Sequence, residues 1–183
     1  GFATSTIENC HWNGIINSSN GTIGGIVGYG INVSRCSVDG SISAYNTLVN
    51  VGGIAGLVSA IDNCYCNIAV KTRSTIYVSN PSFYKNSYVG GYIAAGATAI
   101  TNSFVSNKSS YFMSVYNNTA STSISANRIC REGTIENSFV ITSGKSYVSS
   151  DGCSYINIKE VSSRYYMNTQ YNWSNGIWCW GYD

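Results

Sequence analysis

Val51-Gly52-Gly53-Ile54-Ala55-Gly56 is followed, across a short gap, by Ile61-Asp62-Asn63-Cys64-Tyr65-Cys66. The same two-part unit recurs as Ile23-Gly24-Gly25-Ile26-Val27-Gly28 with Val33-Ser34-Arg35-Cys36-Ser37-Val38. It recurs again as Val89-Gly90-Gly91-Tyr92-Ile93-Ala94 with Ile100-Thr101-Asn102-Ser103-Phe104-Val105. A fifth copy keeps only its second half, Ile135-Glu136-Asn137-Ser138-Phe139-Val140. The first starts in mid-motif, with Gly1-Phe2-Ala3 ahead of Ile7-Glu8-Asn9-Cys10-His11-Trp12. The lead residues Ile7, Val33, Ile61, Ile100 and Ile135 lie 26, 28, 39 and 35 apart. A fixed motif at variable spacing implies constant rungs separated by inserts of different length.

Aligned by motif, the positions form columns with distinct chemistry. The lead column is always β-branched and apolar. Three residues on, Cys10, Cys36, Cys64, Ser103 and Ser138 are always small, and two further on stand Trp12, Val38, Cys66, Val105 and Val140. Alternation along a strand puts these last two columns on one face, with His11, Ser37, Tyr65, Phe104 and Phe139 pointing outward between them. Asn9, Arg35, Asn63, Asn102 and Asn137 precede the small column, which suggests a ladder of stacked amides at a bend. Columns that hold size and polarity in register are what stacked coils require. The expected fold is therefore all-β: a β-solenoid (β-helix) of about five irregular rungs over residues 1–150. Long loop inserts are expected at about 71–88 and 106–134, and an aromatic C-terminal cap or interface segment over 151–183.

Composition agrees. Of 183 residues, 29 are Ser, 21 Asn and 13 Thr, whereas only 10% are charged and the net charge is +2. Helix formers are scarce and β-branched, aromatic and turn residues abundant. So small a charge argues against nucleic acid as a partner. No apolar run approaches the roughly 18 residues of a membrane helix, so no membrane insertion is expected, and no basic-then-apolar leader opens the chain. With 44% hydrophobic residues, disorder is not expected.

The Val-Gly-Gly-Ile-Ala-Gly and Ile-x-Asn-Cys-Tyr elements resemble the GLUG motif of bacterial and protist surface proteins. The resemblance covers roughly residues 1–142 and is clearest at 51–66. The tail, with Tyr165-Tyr166-Met167-Asn168, Trp173 and Ile177-Trp178, is similar to the aromatic segment that closes such arrays. The resemblance implies a β-solenoid in a secreted or cell-surface adhesin-like protein. GLUG repeats also occur beside IgA-type metallopeptidase domains, but no His-Glu-x-x-His sequence is present to carry that zinc site over.

Seven cysteines are spread along the chain: Cys10, Cys36, Cys64, Cys66, Cys130, Cys153 and Cys179. Adjacent rungs lie within reach of a disulfide, so Cys10 to Cys36 or Cys36 to Cys64 is geometrically allowed. Serine in the same column of the last two rungs favours small free thiols instead. Cys153 with Cys179 would pin the cap, and Cys64-x-Cys66 is too isolated for a metal site. No metal or other cofactor is expected, since the chain holds one histidine, His11. Glycosylation sequons begin at Asn17, Asn20, Asn32, Asn107, Asn117 and Asn172. Their number is what chance gives in so Asn-, Ser- and Thr-rich a chain, but Asn17, Asn20, Asn107 and Asn117 fall in expected loops. Asn32 directly precedes a core residue and is the poorer site.

Catalytic readings fare badly. Gly25-Ile26-Val27-Gly28-Tyr29-Gly30 lacks the Gly-Lys-Ser/Thr of a phosphate loop, and its glycines recur in other rungs. Glu8 and Asp62 share a column two rungs apart, about 9–10 Å, near an inverting glycosidase spacing. Ser34 sits between them and Glu136 has no neighbour of its kind. No acidic cluster suits a Ca²⁺-dependent lyase, and the outward column is not the flat threonine array that ice binding needs. The expected activity is therefore non-enzymatic. The outward aromatics Tyr65, Phe104 and Phe139 are expected to pack under inserts or to contact a glycan. Trp178 and Trp180, with Trp173 and Tyr182, are expected to cap the last rung or to meet a second copy. The first rung lacks the charge or proline that blunts a strand edge. Self-association, or flanking repeats of the same protein, is the expected partnership, with glycans as the alternative ligand.

Overall fold

A parallel ladder forms where apolar β-branched residues recur in register, and the lead column builds one. The computed structural model describes residues 1–19, 21–45, 49–75, 92–106, 108–116, 121–125, 129–130, 133–148 and 154–161. Strands β1 (Ile7–Glu8), β4 (Val27–Ser34), β7 (Ala55–Asp62), β9 (Ala94–Thr101) and β13 (Thr134–Glu136) make a five-stranded parallel sheet in chain order. Its register sets Ile7 opposite Val33, Val33 opposite Ile61, Ile61 opposite Ile100 and Ile100 opposite Ile135. A second parallel stack runs through β2 (His11–Ser18), β5 (Ser37–Tyr45), β8 (Tyr65–Thr75), β10 (Phe104–Val105), β14 (Phe139–Thr142) and β16 (Ser154–Asn157). A third, short pair joins β3 (Gly21–Ile23) to β6 (Val49–Val51). The chain is a β-solenoid.

The inward columns fill its core. Val33, Ile61 and Ile100 are buried, as are Val38, Ile42, Ile54, Cys66, Ile68, Ile93 and Val105. Ile7, Trp12, Ile16 and Ile135 are only partly buried against this core. Each fully buried aliphatic side chain contributes roughly 1.5–3 kcal/mol, so the interior rungs carry more of the stability than the outer ones.

Between the two main sheets every rung turns at the same residue. Asn9, Arg35, Asn63, Asn102 and Asn137 all adopt φ between 47° and 54°. This left-handed conformation costs an ordinary L-residue roughly 1–2 kcal/mol, and asparagine adopts it most readily after glycine. Arg35 is the exception. Its guanidinium ion-pairs with Glu8 of the rung above, and its Nε donates to Asn9 Oδ1 at 2.9 Å. The column also stacks in part as amides: Asn137 Nδ2 donates to Asn102 Oδ1 at 3.3 Å, whereas Asn102 donates to Asp62.

The next residue explains why the small column is cysteine or serine rather than alanine. Each side chain donates to the carbonyl two residues back: Cys10 to Glu8 (3.3 Å), Cys36 to Ser34 (3.1 Å), Cys64 to Asp62 (3.3 Å), Ser103 to Thr101 (2.8 Å) and Ser138 to Glu136 (2.8 Å). The last four also accept the N–H of their counterpart one rung earlier. Cys10 N donates to Cys36 Sγ and Cys36 N to Cys64 Sγ, both at 3.4 Å; Cys64 N donates to Ser103 Oγ and Ser103 N to Ser138 Oγ, both at 3.0 Å. The backbone N–H groups left over by the bend thus find side-chain acceptors inside the core.

The glycines serve close approach. A Cβ on Gly24 would lie 2.5 Å from Ala55 Cα, and one on Gly52 the same distance from Ala94 Cα. The stacking also corrects several expectations. Gly25 N bonds Gly53 O, and Gly53 N bonds Tyr92 O, so the fourth copy is offset by one residue and carries Tyr92 opposite Gly53. The fifth rung does have a first half: Ile129 O accepts from Ile93 N and Ala94 N, and Ala94 bridges Cys130. The 106–134 insert is not simply a loop. β11 (Ser110–Tyr116) rejoins β8 in parallel and pairs with antiparallel β12 (Ser121–Ser125). Between β10 and β11 the ladder is bridged by Ser109, whose Oγ accepts from Ile68 N at 2.9 Å and donates to Cys66 O at 3.1 Å. Of the 71–88 insert, residues 71–75 continue β8 and residues 76–88 lie outside the described residues. Rungs continue past residue 150: β16 pairs with β14, then antiparallel with β15 (Tyr147–Val148), and leads into the one-turn helix α1 (Ile158–Val161). The rest of the 151–183 segment, residues 151–153 and 162–183, lies outside the described residues. Among those described, no helix is long and apolar enough to cross a membrane.

The shared column sets an expectation for mutants. Cys64→Ser should change stability by less than about 1 kcal/mol, because serine reproduces both hydrogen bonds. Ser103→Ala should cost about 1–3 kcal/mol, because it strands the Cys64 N–H in the core. Urea unfolding monitored by far-ultraviolet circular dichroism measures both.

Candidate functional site

The regular backbone holds three surface features where side chains could meet a ligand. The first is the carboxylate column. Glu8 is engaged by the Arg35 guanidinium. Asp62 accepts from Thr101 Oγ1 at 2.6 Å, from Asn102 Nδ2 at 2.9 Å and from Asn63 Nδ2. Arg35 belongs to the rung between them and holds Glu8, while Asp62 is turned toward the rung below. The two carboxylates do not face a common space, and each has a structural partner.

The second feature is the outward aromatic column. The pairing of Tyr65 with Phe104 and of Phe104 with Phe139 places all three in one file. Tyr65 and Phe104 rings are 4.8 Å apart and tilted by 43°, and Phe104 and Phe139 are 5.9 Å apart and nearly parallel. Phe139 is fully buried, and Tyr65 and Phe104 are half-buried. Burial pushes the Tyr65 hydroxyl pKa up, opposed by a hydrogen bond with Ser106. The file is a packed stripe with one face open at Tyr65 and Phe104. Toward the first rung it gives way to Ser37 and His11, whose Nδ1 lies 2.7 Å from Ser37 Oγ. Trp178 and Trp180 lie outside the described residues.

The third feature was not read from the sequence. On the outer face of the five-stranded sheet, Phe2 bridges Tyr29, Tyr29 pairs with Leu57 and Leu57 with Gly96. The Phe2 and Tyr29 rings stack 5.2 Å apart and within 10° of parallel, with exposures of 70% and 49%. Side-chain size falls along this column to nothing at Gly96, where Leu57 Cδ2 would come within 2.9 Å of an added Cβ. The step leaves an open groove of about 360 Å³ lined by Tyr29, Gly30, Leu57, Val58, Ser59, Gly96, Ala97 and Thr98. Among the described residues no charged side chain lines it. Its sequence signal was the set of residues after the Gly-Gly pair, read as spacer rather than as an outward column.

Of the sequons, Asn17 lies on β2 and not in a loop, because the second face of the first rung extends as far as its partner β5. Its side chain is exposed, and so is that of Asn32, on the outer face of β4. Asn20, Asn107, Asn117 and Asn172 lie outside the described residues. Cys10, Cys36, Cys64, Cys66 and Cys130 are free thiols; Cys153 and Cys179 lie outside the described residues. Among the described residues no group of three His, Cys, Asp or Glu side chains could hold a metal ion. The thiol column is electrostatically uneven. Cys36 is lowered to about 6, chiefly by a hydrogen bond from the Cys64 thiol and further by Cys10, against the cost of burial. The same bond, followed by burial, pushes Cys64 up, since one member of the pair ionises while the other keeps its proton. Burial, with a smaller contribution from the Asp39 charge, raises Cys66.

The two aromatic features differ in what they support. Phe139→Ala should destabilise the fold by about 3–5 kcal/mol, and Tyr29→Ala should change stability by less than about 1 kcal/mol, as exposed positions do; denaturant midpoints at equal slope measure the difference. Compared with family models, curated proteins and solved structures, this chain matches none.

Proposed function

We propose that this chain is a non-enzymatic structural and adhesive unit of an extracellular or cell-surface β-solenoid, similar in kind to GLUG-repeat surface proteins. One observation carries the reading: the same bend, the same thiol or hydroxyl bridge and the same apolar file recur in register from Ile7 to Ile135. A rung of this kind is a template for the next. Among the described residues, β2 pairs on one side only, with β5. Along β2 the half-buried Trp12 and Ile16 offer apolar surface to a further coil. A flanking repeat of the same protein, or a second copy, is the partner of matching chemistry. The chain's few charges oppose such stacking weakly, and glycans at the exposed Asn17 and Asn32 would supply solubility. Sedimentation velocity at rising concentration tests the edge. Self-association that is weakened at least about tenfold by Ile16→Lys is expected, and a monomer at every concentration would contradict stacking between copies.

A carbohydrate-binding adhesin is the second reading, and the groove below Tyr29 favours it. An exposed ring at one end, hydroxyls of Ser59 and Thr98 at the other and no charge between suit a neutral sugar, whose apolar face stacks on aromatic surface. The half-open Tyr65 and Phe104 rings are the competing location. A glycan array separates them: saturable binding lost in Tyr29→Ala but kept in Tyr65→Ala places the sugar in the groove. The reverse pattern places it on the stripe, and no binding to any glycan removes the adhesin reading.

A further inference from the structure

The file of thiols inside the solenoid ends at the surface. Cys10 is exposed, while Cys36 and Cys64 below it are buried. The pairing of Ile7 with Val33 and of His11 with Ser37 sets Cys10 opposite Cys36. Their Cα atoms are therefore about 4.8 Å apart, as in any parallel ladder. That spacing lies inside the 4.4–6.8 Å span of protein disulfides. Both side chains turn the same way, each donating to the carbonyl two residues back, and Cys10 N–H reaches Cys36 Sγ at 3.4 Å.

We propose that Cys10 and Cys36 form a reactive dithiol that closes to an intrachain disulfide by exchange with a small disulfide of the glutathione type, stapling the first rung to the second. The Cys10 thiolate attacks one sulfur of the oxidant, whose S–S bond breaks. A mixed disulfide forms on Cys10 and one glutathione thiolate leaves and takes up a proton. The Cys36 thiolate then attacks the Cys10 sulfur, the mixed disulfide breaks and the second glutathione leaves. Two protein thiols have lost two protons and two electrons, and the oxidant has become two thiols. Cys10 is the entry point because a dissolved disulfide reaches it and reaches neither buried neighbour.

The exposure of Cys10 and the freedom of its rung select this pair over Cys36 and Cys64. Side chains stacked in register hold their Cβ atoms near the rung spacing, slightly beyond the 3.5–4.5 Å that a disulfide prefers. Among the described residues, β1 and β2 are bonded on one side only, so the first rung can close that gap, whereas the rung of Cys64 is bonded on both sides. The lowered Cys36 pKa adds to the case, since it favours the thiolate that resolves the mixed disulfide. Any misfit that persists leaves the bond easily reduced, so the staple is reversible.

Rungs four and five supply the control. Serine already occupies this column at Ser103 and Ser138 with the same hydrogen bonds, so Cys10→Ser and Cys36→Ser should fold. The dilute reduced protein is incubated with oxidised glutathione, alkylated, digested and mapped by mass spectrometry. The expected product is a Cys10–Cys36 link, with exchange of the β2 amides with deuterium slowed at least about tenfold and restored by dithiothreitol. Cys36→Ser should stop at one glutathione on Cys10, and Cys10→Ser should form neither product. A stable glutathione adduct on Cys10 of the unsubstituted chain would overturn the proposal, as would an unreactive Cys10 or a link that maps elsewhere or between chains. The readout is independent of glycan binding; a second copy stacked on the first rung would cover Cys10, which is why the protein is kept dilute.

Discussion

Each coil of this solenoid must turn sharply while its backbone stays hydrogen-bonded, and the residue pair at the bend meets that constraint. A left-handed residue swings the chain from one sheet to the next. The following N–H then points into the core, where no strand can reach it. A buried N–H without an acceptor costs about 1–3 kcal/mol. The thiol or hydroxyl of the neighbouring rung accepts it and hands its own proton to a carbonyl two residues back. The apolar file depends on this arrangement, because a rung without it would lose either its turn or its register.

The arrangement also explains why the rungs tolerate so much variety between them. The ladder fixes the spacing of adjacent bends at about 4.8 Å. Sulfur at 3.4 Å and oxygen at 3.0 Å both fit that spacing, so cysteine and serine exchange along one column. Everything between one bend and the next is constrained only where it meets a neighbouring rung. In the fourth rung the second face breaks after Val105 and rejoins β8 at Ser110, with the Ser109 hydroxyl standing in for the lost ladder bonds. β12 then folds back antiparallel on β11, while β10 continues the stack to β14. Inserts lengthen one face without moving the bend.

The parts legible in the sequence were those that repeat with the same chemistry at the same offset. The lead file and the Cys/Ser column are of this kind, since both steric size and polarity are forced. The asparagine column was legible as a bend, but its left-handed φ was not, because Arg35 in the same place obscures the pattern. Tyr92 opposite Gly53 was hidden by a Gly-Gly pair one residue out of register, and Ile129-Cys130 by the lack of any glycines before it. The Phe2, Tyr29, Leu57, Gly96 column could not be read as a column, since its members share no property and only the pairing unites them. Asn17 looked like a loop residue because polar residues surround it, yet β5 beside it extends the strand.

A consequence follows for where function can reside. Interior positions of the repeat are used up by stacking: Asp62, Asn102 and the thiols of Cys36 and Cys64 all have partners within the ladder. Variation is free only on outward columns and at a rung bonded on one side. On the outward columns it has produced a partly buried aromatic stripe on one sheet and an open groove on the other. At the first rung the same column chemistry that is inert inside becomes exposed: an edge strand, half-buried apolar side chains and a thiol that solvent reaches. The chemistry of this fold therefore belongs to its flank and its edge, and it is the uniformity of the interior that puts it there.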